Sequence, residues 1–326
     1  MPPAHGGDSS LAGQWPDAPR PILDLSTGIN PFAYPVGELS DAIWRRLPQI
    51  EAEETLKRVL AAYLGLADAD MLTLAPGSQI LINQLPLLFD PGPVSVVGPT
   101  YVEHAHCWAR AGHTVTEVDT LDRTEGVTVV TNPNNPDGRR IARDTLIAHA
   151  RDGGLLIVDE AFADLAPEIS VADLVAELPI VVLRSFGKSF GLAGLRLGAL
   201  AAAPEICARM RARLGPWPVS GPALEVAARA YDDAEWIAAT RARLKQEAAR
   251  LDALLTGSGL DVIGGTDLFR LASHAEAGSV YDGLGARGIL VRRFEAQPAW
   301  LRFGLPPGET AYTRLASALK EILSDV

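Results

Sequence analysis

The sequence predicts an α/β fold in which a mostly parallel central sheet is covered by helices on both faces, followed by a smaller α+β domain. Between residues 36 and 235, short apolar runs rich in β-branched residues alternate with helical patterns, as in strand–helix–strand sheets. After residue 236, one long amphipathic helical pattern precedes several short strand-like runs. The first 35 residues are rich in Pro and Gly and predict little regular structure. We therefore expect an arm over residues 1–35, a large domain over 36–235 and a small domain over 236–326.

Each element follows from its local pattern. In the large domain the apolar runs, expected to be parallel strands buried on both faces, cover residues 94–98, 127–132, 155–160, 179–185 and 196–202. The helical patterns of the same domain cover residues 78–89, 101–111, 143–151 and 204–214. In the small domain, helical patterns cover residues 235–255, 277–286 and 310–323. Its strand-like runs cover residues 260–263, 268–271, 288–292 and 300–303.

Composition and charge exclude several classes of protein. The 326 residues carry a net charge of −11, and phosphate backbones require basic surface, so we expect no nucleic-acid partner. No apolar run reaches the ~18 residues of a membrane span, and the N-terminus lacks a signal-peptide pattern, so we expect a cytoplasmic protein without membrane contact. Cys107 and Cys207 stand far apart and in no metal-ligand spacing, which indicates two buried thiols and no metal site.

Only one of the four lysines stands in a distinctive context. Lys57, Lys245 and Lys320 lie in amphipathic helical patterns, where a solvated surface lysine is the ordinary interpretation. Lys188 lies in a loop rich in Gly and Ser, directly after the apolar run 179–185. Ligands of α/β sheets bind at the carboxyl ends of strands, so Lys188 is a candidate functional residue. Taken alone, an exposed loop lysine is the commoner case.

Two further motifs follow apolar runs in the same way. Asn-Pro-Asn-Asn-Pro-Asp-Gly occupies residues 132–138, and Asp-Glu-Ala-Phe occupies residues 159–162. Together with Ser185, Lys188 and an arginine eight residues on at Arg196, these motifs stand in the order and spacing of the fold-type I pyridoxal-5′-phosphate (PLP) aminotransferases of class I/II. The chain resembles that family over essentially its whole length. The resemblance implies PLP fold type I and PLP as cofactor.

The resemblance assigns four residues to the cofactor ring. Lys188 is expected to link covalently to the cofactor aldehyde and then to act as general acid and base. Asp159 is expected to hold the proton of the pyridine nitrogen, and a helix cap is its alternative. Asn135 is expected to bond the phenolate oxygen, with a turn-forming Asn as alternative. Tyr101 matches the aromatic residue that stacks on the ring, although a core tyrosine explains it equally well.

Further residues match the family's anion sites. The cofactor phosphate is assigned to Ser78 and Gln79, which open a helical pattern, and to Ser185 and Arg196. A plain helix cap and a structural ion pair are the respective alternatives. Arg302 matches the arginine that grips the substrate α-carboxylate in a bidentate manner, and an exposed arginine at a strand end is its alternative.

Within the family the chain looks most similar to the threonine-phosphate decarboxylases of cobalamin biosynthesis, with histidinol-phosphate aminotransferases as near relatives. The start His5-Gly6-Gly7, the segment from Ser26 through Gly28, Ile29 and Asn30, and Phe162 in place of a frequent tyrosine support the former. The implied reaction converts O-phospho-L-threonine to CO2 and (R)-1-aminopropan-2-yl phosphate. A related PLP aminotransferase, which would require a keto acid, is the alternative.

The same resemblance implies a set of substrate contacts and an assembly. A phosphorylated amino acid is expected to contact the following residues: His5, Gly28, Ile29, Asn30, Asn135, Arg292 and Arg302. By position alone His5 is a frayed terminus, and Arg292 is also readable as a solvated side chain. A homodimer is implied. Where relatives often carry a tyrosine that reaches the partner's cofactor phosphate, this chain has Leu47, whose side chain cannot donate a hydrogen bond; Tyr63 is a candidate substitute.

Overall fold

A computed structural model of the chain describes residues 6–121 and 126–324. The α-helices are α1 (Asp41–Arg45), α2 (Ile50–Leu64), α3 (Ser78–Gln84), α4 (Glu103–Arg110), α5 (Arg143–Asp152), α6 (Phe186–Ser189), α7 (Pro204–Leu214), α8 (Gly221–Asp232), α9 (Ala234–Gly257), α10 (Ala277–Ala286) and α11 (Glu309–Ser324). The strands are β1 (Leu23–Asp24), β2 (Leu72–Ala75), β3 (Pro93–Val97), β4 (Thr114–Val118), β5 (Val127–Thr131), β6 (Leu155–Asp159), β7 (Ile180–Ser185), β8 (Gly198–Ala201), β9 (Asp261–Thr266), β10 (Phe269–Ser273), β11 (Ile289–Leu290), β12 (Arg292–Phe294) and β13 (Gln297–Gly304). None of the helices in these described ranges is long and apolar enough to cross a membrane.

The chain divides into two compact units. One comprises the described residues of 1–32, 136–138 and 240–326, and the other those of 33–135 and 139–239. The first unit therefore gathers both ends of the chain and a three-residue segment from its middle.

The second unit is built on a seven-stranded sheet in the order β2-β8-β7-β6-β5-β3-β4. The strands β4, β3, β5, β6 and β7 run parallel, which confirms the mostly parallel central sheet. The expectation that the run 196–202 is also a parallel strand is wrong, because β8 is antiparallel to both β7 and β2. Residues 186–197 form short helices instead of a crossover helix, so the chain returns along β7 with Gly198 opposite Ser185.

Apolar side chains on both faces of this sheet explain its continuous apolar strands. Leu156 and Val158 of β6 join the core on one face, which also holds Leu56 of α2. Ile157, between them, joins the core on the other face with Trp108 of α4. Alternate residues of one strand thus serve opposite cores, as the pleat requires. The predicted helix over 78–89 is shorter than expected: α3 ends at Gln84, and a 3-10 turn carries Pro86, which has no N–H for an α-helical bond.

The first unit contains a four-stranded antiparallel sheet in the order β12-β13-β10-β9 and the helices α10 and α11. Residues 6–32 of this unit contain more regular structure than the sequence predicts. Residues Ser9–Gln14 form a 3-10 helix, and β1 pairs in parallel with β11 near the other end of the chain. A strand of two residues with so distant a partner leaves no periodic pattern in the local sequence.

The segment 136–138 packs closely on the β9–β10 hairpin of the first unit. The N–H of Gly265 donates to the carbonyl oxygen of Asp137 at 2.9 Å. Gly138 has a φ of +71°, and a Cβ there would lie only 1.9 Å from the Gly265 carbonyl oxygen. Glycine is therefore required at the end of the Asn-Pro-Asn-Asn-Pro-Asp-Gly motif by backbone conformation and by space.

Candidate active site

Lys188 is presented by a tightly folded loop after β7. It lies in the short helix α6, and its Nζ is 4.5 Å from the centroid of the Phe162 ring. Phe186 and Phe190 flank it in the sequence and stack with their ring centroids 4.5 Å apart in the core. A Cβ on Gly187 would come within 2.6 Å of the Cα of Ala193, so the loop closes on itself at this glycine. The base of the loop is thereby fixed on both sides of Lys188.

The expectation of a solvated side chain is wrong for Lys57. Lys57 is only 4% exposed and lies among the apolar residues that α2 buries. Its Nζ is 3.0 Å from Oε1 of Glu54 and 3.7 Å from Oδ1 of Asp70. The ion pairs compensate the buried ammonium, and the apolar stem packs in the core. Lys57 is accordingly a structural residue.

Asp159, at the end of β6, is buried and ionised. Its Oδ2 lies 2.9 Å from Nε2 of His104, and its Oδ1 accepts from the N–H of Ala161 at 3.1 Å. Burial by itself raises the pKa of this carboxyl. The hydrogen bond and charge of His104, together with the charge of Lys188, outweigh burial and hold the pKa of Asp159 below its usual value. A buried carboxylate of this kind fits the protonated pyridine nitrogen of PLP.

Tyr101 is held by a polar network between α3 and α4. Its hydroxyl donates to Oε1 of Gln79 at 2.8 Å. The amide nitrogen of Gln79 donates in turn to Oδ1 of Asn83 at 3.1 Å and to Oε2 of Glu103 at 3.3 Å. Burial, with the charges of Glu103 and Asp159, raises the pKa of Tyr101 well above its usual value, so the phenol is neutral. The side chain of Gln79, which the sequence associates with the phosphate, is thus bonded to Tyr101 in this structure.

The Asn-Pro motif is fixed by hydrogen bonds to its own surroundings. Asn134 donates to the carbonyl oxygen of Pro99 at 2.8 Å and accepts from the hydroxyl of Thr100 at 2.6 Å. Asn132 exchanges two hydrogen bonds with the backbone of Ile141, at 2.9 and 3.0 Å. Both asparagines are buried, whereas Asn135 is half-buried. Asn132 and Asn134 therefore shape the loop, and Asn135 is the member with an accessible side chain.

Three of the residues assigned to the cofactor phosphate lie around the backbone of Gly77 and Gly198. A Cβ on Gly198 would lie 2.4 Å from the backbone nitrogen of Ser78, and Gly198 pairs with Ser185 across β8 and β7. A Cβ on Gly77 would lie 2.5 Å from Nη2 of Arg196, so this guanidinium rests against the residue before α3. Free N–H groups at a helix start, a hydroxyl and an arginine are donors suited to a phosphate.

In the first unit, two arginines lie side by side. Arg292 of β12 and Arg302 of β13 are direct antiparallel partners. Arg302 is 7% exposed, and its Nη2 donates to the carbonyl oxygen of Ser26 at 2.8 Å. Burial, followed by the charge of Arg292, lowers the pKa of Arg302 to about 10. Two like charges directly opposite each other destabilise a pair of strands. A bound anion would offset this repulsion, so the arrangement suits an anion-binding site.

The carbonyl that orients Arg302 belongs to a rigid turn. Both the N–H and the hydroxyl of Ser26 donate to Oδ1 of Asp24, at 2.8 and 2.6 Å. The N–H of Gly7 donates to the Ser26 hydroxyl at 2.8 Å. A Cβ on Gly6 would lie 2.3 Å from the Ser26 carbonyl oxygen, so only glycine fits there. Gly6 and Gly7 thus pack on the same residue, Ser26, whose carbonyl group Arg302 contacts.

The remaining substrate residues expected from the sequence lie in or next to this turn. Gly28 and Asn30 are buried and Ile29 is half-buried. Oδ1 of Asn30 accepts from the N–H of Phe32 at 2.8 Å, which is a local turn bond. His5 lies outside the described residues.

Sequence reasoning missed His104, Asn83 and Glu103. Each acts on a residue that it did identify, and none belongs to a motif of its own. The one available signal is spacing: His104 follows Tyr101 by three residues at the start of a helix, so the two rings lie close, 6.0 Å apart.

Fold and site together define the class of protein. The family model for aminotransferase class I and II matches residues 22–319, and the chain belongs to that family. Its sequence is similar to a threonine-phosphate decarboxylase from Sinorhizobium sp., at 41% identity over 98% of each chain. A threonine-phosphate decarboxylase from Pseudomonas aeruginosa is also 41% identical, over 97% of this chain and 96% of its own.

Histidinol-phosphate aminotransferases are more distant in sequence. One from Aeromonas hydrophila subsp. hydrophila is 31% identical over 84% of this chain and 83% of its own. Among solved structures, the histidinol-phosphate aminotransferase from Sinorhizobium meliloti in complex with pyridoxal-5′-phosphate matches with a TM-score of 0.86. That match has 19% identity and covers 99% of this chain and 96% of the other, so it concerns the fold.

Proposed function

We propose that this chain catalyses the PLP-dependent decarboxylation of O-phospho-L-threonine to (R)-1-aminopropan-2-yl phosphate, a step of cobalamin biosynthesis. The observation that carries the proposal is the similarity to threonine-phosphate decarboxylases, which extends over almost the whole of both chains. The ionised Asp159, the loop of Lys188 and the paired arginines support it.

The residues of the second unit fit the cofactor. Bound PLP supplies a protonated ring that accepts the electron pair released when a bond at the substrate α-carbon breaks. Asp159, oriented by His104, would keep a proton on the pyridine nitrogen. Tyr101 would pack on the ring and Asn135 would bond its phenolate oxygen. The phosphate would be held by the following donors: Ser78, the backbone N–H of Gln79, Ser185 and Arg196.

Lys188 would hold the cofactor covalently and would move protons. The reaction breaks the bond between the α-carbon and the carboxylate, CO2 leaves, and one proton takes its place on the α-carbon. Lys188 is the only lysine in the candidate site, and its Nζ is the group that delivers this proton. The aromatic ring of Phe162 lies beside Nζ, 4.5 Å from it, and limits the positions that Nζ can take.

The paired arginines suit a substrate with two anionic groups. Arg302 binds the α-carboxylate, and Arg292, together with His5, binds the substrate phosphate. Binding energy from the remote phosphate sets the tilt of the substrate, and the tilt decides whether the carboxylate or the α-hydrogen is placed for cleavage. A decarboxylase needs the former placement, and an aminotransferase the latter.

The proposal includes a cytoplasmic homodimer. Trp44 is 66% exposed, Leu47 59% and Ile50 77%, and the three lie within seven residues around the start of α2. A second copy of the chain would cover this apolar group. Tyr63, the candidate for a contact with the partner, donates its hydroxyl to Oδ1 of Asp164 at 3.2 Å in this structure.

The deciding experiment supplies O-phospho-L-threonine and PLP without any keto acid and measures CO2 release. We expect sustained release by the wild-type protein and none by Lys188→Ala. If CO2 is absent, and amino transfer from histidinol phosphate to a keto acid is found, the chain is an aminotransferase.

A further inference from the structure

A cluster of three charged side chains is buried beside the candidate site and has no part in the proposed reaction. Arg184 is 2% exposed, Glu160 0% and Asp164 3%. Nη1 of Arg184 donates to Oε2 of Glu160 at 2.7 Å, and its Nη2 donates to Oδ1 of Asp164. Glu160 also accepts from the hydroxyl of Ser170 at 2.6 Å and from the N–H of Val171 at 2.8 Å.

Stability alone does not account for this cluster. Removing three charges from water is costly, and a packed apolar trio of similar volume is often as stable or more so. Burial lowers the pKa of Arg184, but the charges of Asp164 and Glu160 outweigh burial and raise it, so the guanidinium is a permanent cation. What a buried guanidinium provides beyond packing is direction, because its planar fork fixes the angle between its two partners.

The cluster lies where direction affects the site. Glu160 directly follows Asp159, and its N–H donates to the carbonyl oxygen of Leu183 at 2.9 Å. Arg184 directly precedes Ser185 and stands four residues before Lys188. Neighbouring residues of a strand point to opposite faces, so Arg184 is anchored on the face away from Ser185. The fork therefore joins the end of β7 to the segment after β6.

We propose that Arg184, with Glu160 and Asp164, is a positioning cluster that sets Lys188 relative to Asp159 for the proton transfers at the α-carbon. The inference rests on the proposed function. The cluster touches neither substrate nor cofactor; it acts through the two strand ends.

The test uses two variants of the full-length chain and one control. Arg184→Met alone would leave two carboxylates buried without their cation, so it is combined with Glu160→Leu and Asp164→Leu. Arg184→Lys keeps the charge and removes the fork. The control is Arg250→Met, which removes a two-point ion pair with Glu309, at 2.5 and 2.6 Å, in the other unit.

Thermal melting, kcat and KM for CO2 release, and the visible absorption of bound PLP against pH are measured for each protein. We expect both cluster variants to melt cooperatively, with kcat about 100-fold lower and KM little changed, since a misplacement near 1 Å costs about that factor. The pH midpoint of the absorption change should shift in both variants and stay at the wild-type value in Arg250→Met.

Wild-type kcat and an unshifted pH midpoint in folded variants would overturn the inference. So would loss of folding in both variants, which would make the cluster a requirement of the fold itself. If the triple variant alone unfolds, Arg184→Lys decides between the same outcomes. Failure of the wild-type protein to bind PLP would instead overturn the proposed function.

Discussion

Asp159 and His104 form the buried pair on which the proposed chemistry of the candidate site most directly depends. A carboxylate without a partner would take up a proton when buried, and the pyridine nitrogen would then lose its counter-charge. His104 prevents this across 55 positions of sequence. Because His104 is so far from Asp159 in the sequence and belongs to no motif, the sequence predicts Asp159 as a site residue and does not predict His104.

We expect Asp159→Asn to lower kcat by ~10³-fold or more while the protein stays folded, because an amide cannot hold the pyridinium proton.

His104→Phe tests whether His104 holds the pKa of Asp159 down. The pKa of Asp159 is held below its usual value in the folded chain, so its contribution to stability and activity is present at neutral pH and is lost as pH falls through the folded pKa. Without His104 the pKa should rise.

The measurement is the pH dependence of kcat for the wild type and His104→Phe. The acid side of the profile should move to higher pH in the variant. An unmoved acid side would mean that Asp159 does not titrate in this range.

The attachment of the cofactor can be tested directly. Borohydride reduction of the PLP-loaded protein, followed by peptide mapping, should place the pyridoxyl group on Lys188. Lys57 is buried in ion pairs on α2 and provides an internal comparison. Label on Lys57, Lys245 or Lys320 would contradict the assignment.

At the scale of elements, the loop between β7 and β8 can be predicted from the sequence only in part. Its start is predictable, because the apolar strand before Lys188 is continuous and ends at Ser185. The direction of β8 is not, because an apolar run reads the same in both directions and residues 186–197 give no sign of the short helices they form. β4 was missed for a related reason: it is an edge strand with alternating partial exposure and only two apolar residues.

Two of the three glycines of that loop, Gly187 and Gly194, make a matched pair for an experiment. A Cβ on Gly187 would meet the Ala193 backbone at 2.6 Å, whereas a Cβ on Gly194 has nothing within 4 Å. We expect Gly187→Ala to cost about 1–3 kcal/mol in the free energy of unfolding and to reduce kcat. Gly194→Ala should change stability by no more than about 0.5 kcal/mol. Denaturant unfolding and CO2 release give the comparison; equal behaviour of the two variants would show that the loop is not closed at Gly187.

The start of the chain permits a similar comparison. We expect deletion of residues 1–7 to raise KM for O-phospho-L-threonine about ten- to hundred-fold and to leave PLP binding intact, since one charge-assisted hydrogen bond of His5 is worth about 1.5–3 kcal/mol. Gly6→Ala should also raise KM, because its methyl group would meet the Ser26 carbonyl oxygen at 2.3 Å. Gly13→Ala, with nothing within 4 Å, is the control. Unchanged KM values would mean that the arm has no part in substrate binding.

At the scale of the whole molecule, the proposed homodimer can be tested by substitutions in its expected interface. Leu47→Glu combined with Ile50→Glu should convert the proposed dimer to monomers in light scattering, because it places two charges in the apolar group around the start of α2. Ile263→Glu, at a site 44% exposed on β9, is the control and should leave the mass unchanged. A wild-type protein that is already monomeric would contradict the dimer.

The division of the chain into units was only partly accessible from the sequence. The change of pattern near residue 236 reflects the start of α9, a single helix that spans the division after residue 239. Periodicity also could not show that residues 136–138 group with the first unit, because that grouping depends on the close approach of Gly138 and Gly265. Long-range contacts of backbone with backbone leave little trace in side-chain patterns.

The pairing of β1 with β11 has a consequence for the order in which the protein is made. The ribosome synthesises Leu23 early in translation and its partner Ile289 only near the end. The parallel sheet of the other unit is complete on the nascent chain long before then, so it can fold first. Until β11 emerges, the segment carrying Asp24 and Ser26 has no strand to join, and Arg302 has not been synthesised. The orientation of that arginine is therefore among the last features to form. A truncation that removes Ile289 and the residues after it would leave Leu23 and Asp24 without the strand with which they pair.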